Sequence, residues 1–313
     1  MSPSYDTSYH APVLVAEALE LLRPERGGVF LDGTLGGGGH SEAILERAPQ
    51  ARLIGVDRDP DALATAGARL ARFGERFRPV RANFADAVEA AGVGPGTLHG
   101  VLLDLGISSH QIDEDARGFT FRPGAPLDMR MAQSSAGEPS AADLLAELDE
   151  EALANVFYRY GEEKRSRRLA RTIVEMRAEA PVDTSDRLVE AMRRGLGARI
   201  EAADKARIFQ ALRIAVNEEI VSLERALERF REALAPGGVF AIMSYHSLED
   251  RLVKNAFRDW SQACICPPRM PMCNCRGVPL GETLTRKPIA ASADEVARNP
   301  RARSVRMRAW RRA

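Results

Sequence analysis

The sequence predicts a doubly wound, mostly parallel α/β sheet that is interrupted by an inserted α-helical domain. Three observations lead to this fold class. Short apolar runs alternate with amphipathic segments over the first 105 residues, as is typical of βαβ units. A glycine-rich turn follows the first apolar run, and an acidic residue ends the second. The fourth and fifth apolar runs are separated by far more chain than one crossover helix needs.

The first half of the sheet can be assigned element by element. After an amphipathic opening segment, the predicted strands are Gly28–Asp32, Arg52–Asp57, Phe77–Ala82 and Gly100–Leu105. Helices are predicted over His40–Ala48 and over Pro60–Ala71, where proline occupies the first turn. The fourth run, GVLLDL, is almost wholly apolar, as expected of a central parallel strand that is buried on both faces.

A long insertion separates this half from the rest of the sheet. The next convincing strand, Gly238–Tyr245, begins 132 residues after Gly106, whereas a crossover helix with its loops needs about 20 to 30 residues. Helical periodicity predicts helices over Ala141–Leu148, Glu151–Tyr160, Glu163–Arg177, Ser185–Arg194 and a long run from Glu201 towards Ala235. We therefore expect sheet parts over residues 1–112 and 215–313, and an inserted helical domain over 113–214.

Composition excludes several classes of protein. The 313 residues include 44 Lys and Arg, 44 Asp and Glu, and 45% hydrophobic residues, which is ordinary for a globular protein and excludes collagen-like and largely disordered chains. No apolar run approaches the ~18 residues that a membrane span requires, and the start lacks the pattern of a secretory signal. We expect a cytoplasmic protein with no membrane contact; the sequence leaves open whether it is a monomer or a homodimer.

The glycine-rich turn is the first candidate site. It runs from Asp32 to His40, and Asp57 follows Gly36 by 21 residues, where an acid can accept both ribose hydroxyls of an adenosine. The dinucleotide fingerprint fails because its third glycine would fall on Ser41, which disfavours a NAD-dependent oxidoreductase. An acid that opens the turn, with small residues at alternate positions, instead resembles the first motif of class I S-adenosylmethionine (SAM) methyltransferases.

The ends of the next two strands supply further candidates. The third strand leads into Asn83 and Phe84, where a methyltransferase would place a residue beside the adenine, although Phe84 could equally belong to the core. The fourth strand ends at Asp104, and Gln111 follows in the adjoining loop. Ligands of open α/β sheets bind at such strand ends.

Eight segments carry a more particular resemblance: HAPVL (His10–Leu14), DGTLGGGGHS (Asp32–Ser41), GVDRDPDAL (Gly55–Leu63), LLDLGISSHQID (Leu102–Asp113), RGFTFRPGAPLDMRM (Arg117–Met131), FQALRIAVNEE (Phe209–Glu219), SYHSLEDRLVK (Ser244–Lys254) and NPRARSVRMR (Asn299–Arg308). Together they resemble the MraW family of bacterial cytosine-N4 methyltransferases of small-subunit ribosomal RNA. The resemblance spans almost the whole chain in family order. It departs at Tyr245, where the family usually has phenylalanine, and over Asp204–Ile208, where hydroxyl residues are usual.

The resemblance implies a reaction and a site. It implies that SAM methylates the exocyclic amine of one cytidine in the decoding region of 16S rRNA, on the RNA or on the small ribosomal subunit. A non-catalytic ribosome-assembly factor on the same fold is the alternative. It also implies a class I catalytic domain interrupted by a helical substrate-recognition domain. The family's cofactor contacts fall on Gly38, Gly39, His40, Asp57, Phe84, Asp104 and Gln111.

Asp104 is the candidate catalytic residue. The lone pair of cytosine N4 is delocalised into the ring, so the amine has to turn out of conjugation as it attacks, and a nearby acceptor favours that geometry. Asp104 can supply the acceptor, or it can serve only to position the cofactor. The sulfonium of SAM is already a good leaving group, so the reaction needs neither a metal nor a protein nucleophile.

Basic residues predict contacts with nucleic acid. From Arg286 to the end there are nine Lys and Arg against two acids, and Arg301 and Arg303 are the predicted RNA-binding residues, together with the neighbouring Arg298, Arg306 and Arg308. Alternating Val305, Met307 and Ala309 suggest that this tail also forms an edge strand. The basic residues around Arg165 more simply form a solvated helix face. His246, with Glu249 and Asp250, is better explained by RNA contact or helix capping than as a catalytic base.

All four cysteines lie between Cys264 and Cys275, in two Cys-x-Cys pairs that also include Cys266 and Cys273. Four thiolates in one loop can hold tetrahedral zinc, but zinc pairs are usually separated by two to four residues. The tighter spacing favours reduced thiols, which suits a reducing compartment. From the sequence alone we therefore assign no metal.

Overall fold

The computed structural model describes residues 12–107, 114–132, 137–266, 272 and 275–313. The chain divides into two compact units, one formed by Met1–Gly106 with Val221–Ala313 and the other by Ile107–Ile220. The second unit extends six residues beyond the expected insertion at each end. The reason is local: the strand that precedes it ends at Asp104, and the helix that follows it begins only at Glu219.

In the described ranges, the first unit is built on one seven-stranded sheet. In chain order, the strands are β1 (Gly28–Asp32), β2 (Ala51–Asp57), β3 (Phe77–Arg81), β4 (Leu98–Asp104), β5 (Leu234–Ser244), β6 (Gly281–Thr283) and β7 (Arg306–Arg312). Across the sheet their order is β3-β2-β1-β4-β5-β7-β6. Strands β1 to β5 are parallel, and β7 runs antiparallel to β5 and to β6. This is the doubly wound, mostly parallel sheet that the sequence predicts.

Helices flank the sheet and form the second unit. They are α1 (Val15–Leu22), α2 (Gly39–Arg47), α3 (Pro60–Leu70), α4 (Ala87–Ala90), α5 (Ala141–Glu147), α6 (Glu150–Gly161), α7 (Ser166–Glu179), α8 (Ser185–Leu196), α9 (Ala202–Val216), α10 (Glu219–Ala233), α11 (Ser247–Trp260) and α12 (Ala293–Arg298). Within the described part of the chain, none of these helices has the length and apolar character needed to span a membrane.

The central strands bury side chains on both faces of the sheet. Phe30 and Leu102 belong to one apolar cluster, whereas Leu31, Val101 and Leu103 belong to another. Successive side chains of a strand point to opposite faces, so these neighbours enter two separate layers. Burial on both faces explains why the fourth run of the sequence is continuously apolar rather than alternating.

The last strand, β7, differs from its predicted position at an edge. It pairs with β5 from Arg306 to Arg311 and, on its other side, with the three-residue strand β6. Trp310 is fully buried there. The expectation of an edge strand is therefore wrong, because β6 covers the outer side of β7. The short GET sequence of β6 has no apolar alternation by which it could be predicted.

The second unit has a core of its own. Buried side chains from its helices form one cluster, which includes Leu153, Phe157, Leu169, Ile173, Met192 and Leu212. Polar residues begin two of the helices. Ser140 and Asp143 form a capping box at the start of α5, and Asp149 accepts the amide of Ala152 at the start of α6.

The long helical run expected from Glu201 towards Ala235 is divided into α9 and α10, which corrects the prediction. Glu218 has a φ of 48°, in the left-handed region where a helix cannot continue. Beside it, the Asn217 side chain donates a hydrogen bond of 2.8 Å to the carbonyl of Met129. A side-chain amide that bonds to backbone in this way favours a helix end over a helix interior.

Candidate active site

Three carboxylates mark the carboxyl ends of the parallel strands. Asp32, Asp57 and Asp104 are the last residues of β1, β2 and β4, which are neighbours in the order β2-β1-β4. The strand order reverses beside β1, and ligands of open α/β sheets bind outside the carboxyl ends at such a point. The structure thus brings the two sequence-predicted acids, Asp57 and Asp104, to the edge where a nucleotide-like ligand is expected.

Asp57 is oriented by two backbone amides. The N–H of Gly36 donates to Oδ2 at 2.8 Å, and the N–H of Asp59 donates to Oδ1 at 2.9 Å. Each carboxylate oxygen has two acceptor sites, so both can accept a further hydroxyl. Burial raises the pKa of Asp57 to about 6, an effect that the two backbone hydrogen bonds only partly offset. Asp57 is therefore a fixed acceptor whose charge depends on pH in a range close to neutrality.

The glycine-rich turn is packed on one side and open on another. Gly36 and Gly38 have φ values of 50° and 79°, in the left-handed region that favours glycine. A Cβ at Gly38 would lie 3.1 Å from Ala66, and one at Gly39 would lie 2.8 Å from the ring of Pro12. At Gly36, the nearest atom outside its chain neighbours would be 4.0 Å away. Gly38 and Gly39 thus allow close packing, while the backbone at Gly36 remains approachable.

Asp32 holds the turn in place. Its side chain is buried, accepting the amide of Thr34 at 3.2 Å and the hydroxyl of Ser41 at 2.7 Å. Burial raises the pKa of Asp32 above its ordinary value. The Thr34 hydroxyl in turn accepts the backbone amide of Asp104 at 2.6 Å. Asp32 and Thr34 therefore connect the glycine-rich turn to the end of β4.

The Asp104 carboxylate is bound by a residue that sequence reasoning missed. The Tyr245 hydroxyl donates a hydrogen bond of 2.8 Å to Asp104 Oδ1. Burial raises the pKa of Tyr245 well above its ordinary value, and the negative charge of Asp104 raises it further, so the hydroxyl remains a donor. A Cβ at Gly106 would lie 2.8 Å from the Tyr245 ring. The order of the strands could have indicated this contact, because β4 and β5 are parallel neighbours and the residues that follow or end them lie at the same edge of the sheet.

Phe84 lies just beyond β3. It begins a short 3₁₀ turn, Phe84–Asp86, in which the Asn83 side chain accepts the amide of Ala85 at 3.0 Å. Its partly buried ring packs against one of the apolar clusters of the sheet. The core interpretation is therefore correct for part of the ring, and its position after β3 remains compatible with an adenine contact.

His40 is buried near the start of α2. Its Nε2 lies 2.7 Å from the carbonyl oxygen of Val13. Because a carbonyl only accepts, Nε2 carries the proton and donates this bond. The ring is thereby fixed between α2 and the segment before α1. Gln111, the remaining cofactor residue expected from the sequence, lies outside the described residues.

His246 has a structural role at the start of α11. It is the N-cap residue and forms a capping box with Glu249, whose Oε2 also accepts the amide of Tyr245 at 2.9 Å. This favours helix capping over a catalytic base. The next residue along, Asp250, receives two hydrogen bonds from Arg308, at 2.7 and 3.1 Å. Arg308 is buried in this pair, so the expectation that it contacts phosphate is wrong.

The other predicted RNA-binding arginines lie on a short segment before β7. Arg301 and Arg303 belong to the 3₁₀ turn Pro300–Ser304, where Arg303 is exposed and Arg301 is partly exposed. Ala302 and Val305 are buried beside them and hold the segment against the core. The backbone of this basic segment is therefore fixed while the Arg303 side chain faces solvent.

The basic residues near α7 are engaged within their own unit. Arg165 donates to the carbonyl of Leu196, and Arg171 forms an exposed ion pair with Glu150 at 3.4 Å. These contacts agree with the expectation of a solvated helix face.

The fold and this strand edge define a class I, SAM-dependent methyltransferase. The chemistry of the edge suits that cofactor, since Asp57 offers lone pairs for ribose hydroxyls and the backbone at Gly36 is open to a ligand without phosphates. The chain belongs to the MraW methylase family, whose model matches residues 7–313.

Known proteins similar to this chain include two curated relatives. The Ribosomal RNA small subunit methyltransferase H of Gemmatimonas aurantiaca is 54% identical over 306 residues, which are 97% of this chain and 95% of the relative. The protein of the same name from Geobacter sulfurreducens is 50% identical over 308 residues, 97% of this chain and 98% of the relative. Among solved structures, an rRNA methylase from Streptococcus thermophilus aligns with a TM-score of 0.42 and 8% identity, covering 96% of this chain and 97% of that one.

Proposed function

We propose that this protein uses SAM to methylate the N4 amine of a cytidine in the decoding region of 16S rRNA. The observation that carries the proposal is the Asp104 carboxylate, oriented by Tyr245 at the same strand edge as Asp57. The names of the relatives support small-subunit rRNA as the substrate. The choice of cytosine N4 rests on the resemblance to the MraW family and on an acceptor suited to an amine.

The proposed cofactor contacts are Gly38, Gly39, His40, Asp57, Phe84, Asp104 and Gln111. In this arrangement the Asp57 carboxylate accepts the two ribose hydroxyls through the lone pairs that its backbone bonds leave available. The glycine-rich turn lets backbone approach the methionine end of SAM. Phe84 contributes an apolar surface beside the adenine.

The chemical step requires mainly geometry. SAM, when bound, supplies an electrophilic methyl group on a sulfonium. The chain has to hold the N4 amine in line with the carbon–sulfur bond, with the N4 lone pair turned out of conjugation. The Asp104 carboxylate accepts a hydrogen bond from the amine, which favours that pyramidal form. With SAM bound, transfer of its methyl group to N4 would leave the thioether as the departing product and one proton to be removed from N4, and Asp104 is the proposed acceptor of that proton.

Substrate binding is assigned to two parts of the chain. The target base has to be unstacked before its amine can be reached, as in other enzymes that modify bases. We assign recognition of the RNA to the inserted helical unit and phosphate contacts to Arg301 and Arg303. The partner is 16S rRNA or the small ribosomal subunit, in the cytoplasm.

The decisive experiment is nucleoside mass spectrometry of small-subunit RNA from cells with and without this gene. We expect N4-methylated cytidine to disappear without the gene and to return with the wild-type gene. It should not return with Asp104→Asn, whereas Asp61→Asn, a matched change at an exposed position of α3, should restore it. Unchanged N4-methylated cytidine in the deletion strain would refute the assignment. Restoration by Asp104→Asn would remove that carboxylate from the reaction.

A non-catalytic assembly factor predicts a different result. In that case the purified protein would bind small-subunit RNA but neither SAM nor its demethylated product in a calorimetric titration. The motifs that end the neighbouring strands, including the carboxylates of Asp57 and Asp104, argue against this alternative, because they are the residues that cofactor binding requires.

A further inference from the structure

Three cysteine thiols lie together in the loop between α11 and β6. The sulfur atoms of Cys264, Cys266 and Cys275 all lie within 4.8 Å of one another. Cys264 is exposed, and the other two are partly exposed. The fourth cysteine, Cys273, lies outside the described residues and is not part of the site considered below.

The separation of these thiols suits a metal ion. Zinc–sulfur bonds of about 2.3 Å at tetrahedral angles place the sulfur atoms about 3.8 Å apart. The upper limit of 4.8 Å on the separations of these sulfur atoms is compatible with that value. A disulfide would join two of the thiols at about 2.05 Å and leave the third beside it without a role. Three mutually close thiols are therefore better matched to one shared ion than to one covalent pair.

The structure also explains how a Cys-x-Cys spacing can bind a metal. Cys264 and Cys266 lie outside any helix, and the sulfur of each lies within 4.8 Å of the sulfur of Cys275. Both sulfurs can then face Cys275 across the loop. The tight spacing that argued against zinc in the sequence is thus compatible with it once the third thiol is known to be near.

Backbone groups and a neighbouring cation support the cluster. The amide of Ile265 donates to the sulfur of Cys275 at 3.4 Å, and the thiol of Cys275 donates to the carbonyl of Ala263 at 3.8 Å, so this sulfur is held close to the backbone beside Cys264 and Cys266. Arg276 donates to the carbonyls of Gln262 and Asp259, which ties the two sides of the loop together. Three thiolates exceed the charge of one zinc ion by one negative charge, and Arg276, which follows Cys275 in the chain, carries a positive charge on the same loop.

We propose that Cys264, Cys266 and Cys275 bind one zinc ion as thiolates, with one further ligand completing a tetrahedral site. Binding replaces three sulfur–hydrogen bonds with three sulfur–zinc bonds and releases three protons to solvent. The ion would connect the two sides of the loop, which Arg276 already joins by hydrogen bonds.

The position of the loop assigns this site a structural role. Helix α11 starts just after the carboxyl end of β5 and ends at Trp260, which packs against Trp310 with ring centroids 5.1 Å apart. Trp310 of β7 lies opposite Phe240 of β5 in the sheet. Phe240 is near the amino end of the part of β5 that pairs with β4. The loop therefore departs from the edge of the sheet opposite to Asp57 and Asp104. Loss of zinc should leave cofactor binding at the other edge largely unchanged.

Metal analysis of the full-length protein tests the proposal. The protein is purified without an affinity tag, under reducing conditions, from medium containing zinc. We expect about one zinc ion per chain in the wild type and less than about a fifth of that in Cys264→Ser, Cys266→Ser and Cys275→Ser. Ile265→Ser is the matched control, because it introduces the same side chain into the same loop without removing a sulfur. It should retain the metal.

Two further measurements separate zinc from other states of the thiols. Addition of Co²⁺ to metal-free protein should give intense thiolate-to-cobalt charge-transfer bands, which zinc then abolishes. Removal of zinc should speed proteolytic cleavage in the loop while the affinity for SAM stays within about twofold. Zinc below about a tenth of an equivalent, zinc retained in all three cysteine variants, or a disulfide among these cysteines in the freshly purified protein would overturn the proposal.

Discussion

The Tyr245 hydroxyl holds the Asp104 carboxylate in one orientation through a hydrogen bond of 2.8 Å. Asparagine at position 104 can still accept this bond, but it is neutral and offers one oxygen instead of two. We expect Asp104→Asn to fold normally and to lose about 100-fold or more in kcat. Single-turnover methyl transfer at saturating SAM measures the loss. Turnover close to that of the wild type would exclude Asp104 from the chemical step.

Two controls separate chemistry from cofactor positioning. If Asp104 acts only by positioning SAM, the asparagine variant will show weaker SAM binding in calorimetry and a smaller change in kcat at saturation. Tyr245→Phe keeps the ring against Gly106 and removes only the hydroxyl. We expect it to slow turnover by about threefold to tenfold, in line with one lost hydrogen bond. An unchanged rate would contradict an orienting role for the hydroxyl.

Asp57 makes stability depend on pH. Burial raises its pKa to about 6 in the folded protein, against an ordinary value of 3.8. The folded state therefore binds the proton of the Asp57 carboxyl more tightly than the unfolded state does. The stabilisation that comes from this protonated carboxyl is fully present below pH 3.8 and is lost as the pH rises through 6. Asp57→Asn cannot ionise and escapes the loss. We expect the difference between the melting temperatures of Asp57→Asn and the wild type to move in favour of the variant when the pH is raised from 5 to 8.

The control for this pH dependence is Asp61→Asn, at an exposed position of the neighbouring helix α3. It should show the same difference from the wild type at both pH values. If Asp57→Asn behaves in the same way, Asp57 does not titrate near pH 6.

Some of these side chains could be predicted from the sequence and others could not. Asp57 and Asp104 could, because each ends an apolar run, and strand ends of one parallel sheet meet at one edge. The hydroxyl of Tyr245 could not, since its contact with Asp104 depends on the pairing of strands that are distant in the chain. The proximity of Cys275 to Cys264 depends likewise on the path of a loop without a regular pattern.

Between elements, the ion pair of Asp250 and Arg308 connects α11 to β7. Burial alone would raise the pKa of Asp250, but the hydrogen bonds and charge of Arg308, with a smaller contribution from Arg306, outweigh burial and keep that pKa below its ordinary value. We expect Arg308→Ala to lower the free energy of unfolding by about 3 kcal/mol, because it leaves a buried carboxylate without its main partner. Denaturant unfolding at pH 7 measures this loss.

The pair should weaken in acid. Folding lowers the pKa of Asp250. The ionised carboxylate therefore contributes to stability above the ordinary pKa of an aspartate, and this contribution is lost as the pH falls through the pKa of the folded state. The cost of Arg308→Ala should therefore shrink at low pH. Arg311→Ala is the control on the same strand: its pair with Glu282 is more exposed, and its loss should cost less than about 1 kcal/mol. Equal costs for both changes would contradict the importance of burial.

The elements differ in how well the sequence predicts them. The parallel strands could be predicted because burial on both faces requires continuous apolar runs. The division between α9 and α10 was missed because Asn217 and Glu218 interrupt a helical pattern by local geometry, with no proline or glycine to indicate it. Strand β6 was missed because three residues are too few to show a period.

At the scale of the whole molecule, the zero net charge conceals a basic terminal region. We expect Arg301→Ala with Arg303→Ala to weaken binding of small-subunit RNA and to reduce the slope of log affinity against log salt by up to about 1.8, one phosphate for each arginine. Filter binding over a range of salt concentrations measures the slope. SAM binding should not change.

A charge-matched control is Arg47→Ala with Arg52→Ala, two exposed arginines at the end of α2 and the start of β2. It removes the same charge from a different part of the surface. If both double variants lower the salt slope equally, the effect reports total charge and not a binding surface at Arg301 and Arg303.

The division into two units illustrates what spacing alone can predict. The sequence requires an insertion because the fourth and fifth strands lie too far apart for one crossover. The borders could not be derived in the same way, because helices α9 and α10 together read as one periodic run although α10 belongs mostly with the sheet.

The same interruption has a consequence during synthesis. Strand β4 can pair with β1 as soon as both have been synthesised, but its other neighbour, β5, is translated only after the 129 residues that separate Asp104 from Leu234. At elongation rates of about 5 to 20 residues per second, that delay lasts about 6 to 26 s. Throughout it, an apolar ribbon with one uncovered row of peptide groups is available to other nascent chains. The helical unit, which has its own core, can mature in the meantime, so the half-built sheet is the stage at which ribosome-associated chaperones would matter most.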